Sequence, residues 1–204
     1  MKRTLASIAG LLVLTLLTTA CVPIWQQRSA IETATLWQQR QTALLKLEKW
    51  QIKGRTVIRQ GNEAWNAGLN WQQKHDHFKI KLSGPFAQGG VILDGDSNHV
   101  VLTMDDGSQM VAQTPEALLM EALNVHMPVS ALRDWVRGLP YAMNSIDDVQ
   151  YDDQGRISYL KQGVWQIEYL RYVPFKQYSM PAKVFINHPK LSVRVIVDDW
   201  DAVE

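Results

Sequence analysis

The chain has 204 residues, 46% of them hydrophobic, and a formal net charge of +1. That is enough to bury one sizeable core, while so even a charge balance provides no basic face of the kind nucleic-acid binding needs. The single cysteine, Cys21, excludes an internal disulfide.

Lys2 and Arg3 precede a short apolar run, Ala9 to Leu17, followed by the small residues Thr18, Thr19 and Ala20. The run is too short to span a bilayer comfortably and has the layout of a secretory signal peptide, residues 1–20. Cys21 follows the cleavage position directly. That placement resembles the bacterial lipobox, whose cysteine is acylated and becomes the first residue of the mature chain. Lipoboxes usually carry Leu three places before the cysteine; here Thr18 stands there and Leu17 lies one place further back. An ordinary signal peptide with a chance cysteine is the alternative. Val22 stands where an aspartate often marks inner-membrane retention, so the resemblance implies the outer membrane. Removing Lys2 and Arg3 changes the formal charge from +1 to −1.

Residues 21–27 would form a short tether. From about Gln26 to Leu47 there is no Pro or Gly, and Ile31, Trp37, Leu44 and Leu47 fall on one side at helical spacing, which predicts an amphipathic helix. At Trp50 the period changes to alternation: Trp50, Ile52, Thr56 and Ile58 oppose Gln51, Lys53, Arg55 and Arg59. Gly54 interrupts the apolar side and predicts a bend or bulge. The pattern repeats with Trp65, Ala67, Leu69 and Trp71, then with Phe78, Ile80 and Leu82. Alternation over successive strands predicts an antiparallel sheet with one wet and one apolar face. Runs at Val91–Leu93, Val100–Met104 and Gln109–Ala112 add strands, separated by Gly95-Asp96 and Asp106-Gly107 as hairpin turns.

Helical spacing returns after Thr114, an N-cap followed by Pro115 and Glu116. Leu118, Leu119, Ala122 and Leu123 form its apolar side. In MPVSALRDWVRGLP, Ser130 is the expected N-cap, Leu132, Trp135, Val136 and Leu139 share a face, and Gly138 with Pro140 ends the helix. Five more strands are expected near Val149–Asp152, Arg156–Lys161, Val164–Tyr172, Ala182–Asn187 and Leu191–Val197. With no internal repeat or domain boundary, residues 28–204 read as one domain of the mostly β (α+β) class. It comprises about eleven strands in one curved sheet with helices on its apolar face.

No nucleophile elbow, zinc-protease motif or phosphate-cradling glycine loop occurs, so no catalytic residue, metal site or cofactor is expected. His75 and His77 lie two apart on a strand without a clustered third ligand. Arg28, Arg55, Arg59, Arg133 and Arg137 are read as scattered surface charge, available for docking but solvated by default. In KLSGPFAQGGVIL, Phe86 is a large apolar residue among turn formers.

The lipobox cysteine, the Trp- and Gln-rich first helix, WQIKGR, the Pro-Phe-Ala-Gln-Gly turn and MPVSALRDWVRGLP together resemble the LolB family. Its members are outer-membrane lipoproteins that receive other lipoproteins from the periplasmic carrier LolA. The resemblance runs through nearly the whole chain. It implies an unclosed, strongly curved antiparallel barrel of about eleven strands, with helices covering an apolar cavity. It further implies that acyl chains pass from LolA into the cavity and on into the outer membrane, without nucleotide. Cys21 would carry the lipid anchor in the inner leaflet, and Phe86 would be the apolar loop tip that touches the membrane. The cavity would take Trp50, Ile52, Trp65, Leu69, Trp71, Phe78, Ile80, Leu82, Leu102, Met104, Trp165 and Ile167. The covering helices would contribute Leu118, Leu132, Trp135 and Val136. Periodicity alone fits a packed core equally well, although so many bulky tryptophans suit an incompletely filled interior. The chain is expected to act as a monomer that faces the periplasm, not as an enzyme. A structural outer-membrane lipoprotein scaffolding an envelope assembly is the alternative; an envelope esterase is less favoured.

Overall fold

A computed structural model describes residues 30–84 and 89–203. Cys21, Arg28 and Phe86 lie outside the described residues. Helix α1 spans Ala30–Leu45 and leads into strands β1 (Lys49–Gln60), β2 (Glu63–Lys74), β3 (His77–Ser83), β4 (Gly90–Gly95), β5 (Val100–Thr103) and β6 (Gln109–Ala112). Helices α2 (Pro115–Leu123) and α3 (Val129–Trp135) follow. Strands β7 (Asp148–Tyr151), β8 (Ile157–Gln162), β9 (Trp165–Phe175), β10 (Tyr178–His188) and β11 (Leu191–Asp201) complete the fold.

All eleven strands form one sheet in the order β6-β5-β4-β3-β2-β1-β11-β10-β9-β8-β7. Two antiparallel meanders are thus joined where β1 pairs with β11, while β6 and β7 form the two edges. The sheet curls without closing, and the chain between its edges carries α2 and α3 over the concave side. This is the expected unclosed barrel with covering helices. The connections obey the preference for sequential strands to lie side by side.

Gly54 explains one irregularity. The register of β1 against β11 shifts between Lys53 and Gly54, and a Cβ at Gly54 would collide with the Ile196 carbonyl oxygen. The missing side chain lets the two strands approach at the seam between the meanders.

Thr114 Oγ1 accepts from Ala117 N at 3.2 Å, capping α2 as its position predicts. Ser130 is not the cap of α3. The helix starts two residues earlier than that cap implies, at Val129 after Pro128, and Ser130 N instead donates to Glu116 Oε1 at 2.8 Å. An acid in the first turn of α2 thereby supplies the acceptor that α3 lacks locally.

Candidate functional site

The register of the sheet sorts its apolar face into a filled end and a hollow end. At the filled end, Trp50 packs between Trp71 and Trp200, with ring centroids 5.3 and 5.5 Å away. Trp200 in turn meets Phe175 at 6.1 Å. Toward the hollow end the inward positions are small: Val195, Thr56 and Ala67 lie side by side across β11, β1 and β2. Close packing needs side-chain volume from facing positions, and this row supplies little. A cavity of about 590 Å³ remains, within the usual range for ligand sites.

Its walls include Trp65, Leu69 and Trp71 from β2, Ile80 and Leu82 from β3, Leu93 and Leu102 from β4 and β5, and Val193 and Val195 from β11. Leu119, Leu123, Val125, Met127, Val129, Leu132 and Val136 cover it from the helical segment. Among the lining residues, Thr56 and Asn66 are the ones with polar side chains. A cavity this apolar offers a water molecule few of the polar partners it needs, and so suits an apolar occupant.

Six of the twelve expected cavity residues come together on this wall: Trp65, Leu69, Trp71, Ile80, Leu82 and Leu102. The other six do not reach it. Trp50, Ile52, Phe78 and Ile167 are buried in the packed core, with Met104 and Trp165 against it. Trp165 meets Trp135 and His188 in tilted ring contacts, at 5.5 and 4.7 Å, in the half of the sheet that α1 and the chain after α3 fill. Of the four expected covering residues, Leu132 and Val136 face the cavity, whereas Leu118 and Trp135 are fully buried beside it. Residues that the sequence does not assign to the cavity complete the wall, above all the small row and the stretch Val125–Val129. Their signal is inward-facing small residues in register, visible only once strand partners are known.

Trp135 and Arg137 anchor the cover. Trp135 Nε1 donates to Gln162 Oε1 at 2.9 Å, and Gln162 Nε2 donates to the carbonyls of Tyr141 and Asn144. Tyr169 Oη donates to the Trp135 carbonyl at 2.9 Å. Arg137 is not surface charge: it is 5% exposed. Its guanidinium donates to the carbonyls of Leu44, Leu47 and Arg133 and pairs with Asp134. The C-terminal carbonyls of α1 attract this cation. Burial lowers the Arg137 pKa, and Asp134 opposes that shift; an arginine stays charged nonetheless. Gly138, at φ +79°, then turns the chain; a Cβ there would press on Pro181 and Tyr172.

The other candidates separate. Arg55 pairs with Asp198 and Arg133 with Asp76, both at the surface. His75 pairs with Glu48 at 2.7 Å, and His77 with Asp94 at 3.1 Å, so the two histidines serve different carboxylates. Gly84 and Gly89, the described ends of the loop that carries Phe86, both line the cavity. Gly84 N donates to Gly89 O at 3.2 Å, which closes the loop at its base.

A family model described as "Outer membrane lipoprotein LolB" matches residues 48–200. The outer-membrane lipoprotein LolB of Nitrosococcus oceani is 38% identical over 185 residues, covering 91% of this chain and 92% of that one. The chain belongs to the LolB family. LolB of Pseudomonas syringae pv. syringae is 37% identical over 80% of each chain. Among solved structures, a LolA superfamily protein from Nitrosomonas europaea superposes with a TM-score of 0.51 at 5% identity, over 84% of this chain and 94% of that one. A DUF1329 family protein from Desulfovibrio piger gives 0.52 at 5% identity, over 86% and 94%. At such low identity these structural matches establish a shared fold. This LolB-family chain is an outer-membrane lipoprotein, and no helix among its described residues is long and apolar enough to cross a membrane.

Proposed function

We propose that this LolB-family protein accepts acylated lipoproteins from the periplasmic carrier LolA in its apolar cavity and inserts them into the outer membrane, without nucleotide hydrolysis. Acylated Cys21 anchors it to the inner leaflet, facing the periplasm. The cavity of about 590 Å³, walled almost wholly by apolar side chains, is the observation that supports this role. An acyl chain in water costs about 0.8 kcal/mol per methylene, on the order of 10 kcal/mol for a long chain. Multiply acylated cargo therefore needs continuous cover. The receptor has only to offer a better apolar site than the carrier, and the bilayer a better one still; differential affinity sets the direction. No bond is made or broken, so the role requires no catalytic residue.

Mixing LolA loaded with a lipoprotein with the chain from residue 21 onward, carrying Cys21→Ala, tests this. Stoichiometric transfer of cargo is the expected result. Cargo that stays on LolA would sink the receptor role and leave the scaffolding alternative.

Phe86, on the loop whose base lies at the cavity, is the proposed membrane contact. Burying a phenylalanine is worth about 1.5–3 kcal/mol, so Phe86→Glu is expected to slow delivery into vesicles by roughly ten- to a hundredfold. Folding and cargo reception should be unchanged. Equal delivery by both proteins would remove this role, and a large fall in melting temperature would show that Phe86 packs inside.

A further inference from the structure

A methylene takes up roughly the room of a water molecule in the liquid, about 30 Å³. A cavity of about 590 Å³ therefore holds on the order of twenty methylenes, one long acyl chain with little to spare. A multiply acylated anchor brings more chain than that, and the excess needs another apolar surface. The rim provides one. Trp65 lines the cavity yet is 42% exposed, and Leu123 lines it yet is 38% exposed.

These two residues stand on opposite lips. Trp65 is on β2, paired across the strand with Ile58 of β1, and Leu123 ends α2. The lips are tied together beside them: Gln60 Nε2, at the end of β1, donates to the carbonyl of Asn124 at 2.8 Å. Asn124 holds the left-handed conformation that ends α2, with φ 53°. One hydrogen bond thus joins the sheet to the helical cover at the mouth, where Trp65 and Leu123 continue the apolar cavity wall outward.

We propose that the cavity encloses one acyl chain of the cargo while a further chain lies across the Trp65–Leu123 rim. This rests on the receptor role above and assigns the chains of one anchor to two subsites. The rim chain, already half out of the protein, is the one placed to enter another apolar phase first.

Native mass spectrometry and calorimetric titration of the chain from residue 21 onward, with Cys21→Ala, test it, using palmitate and a tripalmitoylated lipopeptide as probes. One tight palmitate per protein is expected, with a second bound at least about tenfold more weakly. Two equally tight palmitates would overturn the single-chain cavity while leaving the receptor role standing. No bound palmitate would remove the receptor role itself. Trp65→Ser is expected to cost the lipopeptide about tenfold more affinity than it costs the tight palmitate; equal losses would overturn the rim subsite.

Discussion

Replacing Leu69 and Val193 together by tryptophan is expected to weaken binding of acylated cargo roughly a thousandfold while the protein stays folded. The two side chains face the cavity from β2 and β11, the neighbours of β1 on either side. Two indoles would exclude on the order of five methylenes of chain, worth about 0.8 kcal/mol each, and every 1.4 kcal/mol is a factor of ten. The same substitutions in a packed core would cost about 1–3 kcal/mol through strain. Here the rings grow into empty space and gain dispersion contacts instead. Equilibrium binding of a lipopeptide, beside calorimetric melting of the same protein, separates the two effects. Full affinity with an unchanged melting temperature would place the acyl site elsewhere. Lost affinity together with a collapsed melting temperature would mean that the walls are in contact rather than apart.

How legible this site is in the sequence depends on which physical question is asked. Alternation of apolar and polar residues says which face of a strand turns inward, and it reads correctly from Trp50 through Trp71 and again through Val193 and Val195. Gly54 marks the bulge and Thr114 the cap because those effects are local. Depth along the barrel is another matter. Trp50 and Trp65 have the same inward direction, yet one is sealed against Trp200 and the other stands at the rim. Strand pairing 150 residues apart decides this, and alternation carries no information about it. By bulk alone, tryptophans suit an incompletely filled interior. In the fold they mostly plug it, and the hollow is made by Val195, Thr56 and Ala67, whose neighbourhood appears only in register.

Arg137→Met is expected to lower the free energy of unfolding by about 3–5 kcal/mol, the range for breaking a buried ion pair by removing one partner. From its spacing, Arg137 shares a helix face with Arg133 and would pass for a solvated cation. Its burial depends on the end of α1, which arrives from 93 residues away. Methionine keeps the length and apolar stem but strands the Asp134 carboxylate, whose side chain is only 16% exposed. It also takes the guanidinium donor from the carbonyls of Arg133, Leu44 and Leu47, of which that of Leu44 still accepts from Leu47 N. Lysine is expected to recover only part of the loss, since one ammonium cannot reproduce the planar fork that reaches several acceptors at once. Adding Asp134→Leu to Arg137→Met should restore more, because it removes the stranded charge. Urea unfolding of the four proteins gives the order. A change under about 0.5 kcal/mol for Arg137→Met, the size of an ordinary surface substitution, would mean that the arginine faces water. The consequence reaches the cavity, for Val136 on its wall directly precedes Arg137. Acyl affinity is therefore expected to fall along with stability, though no atom of Arg137 lines the site.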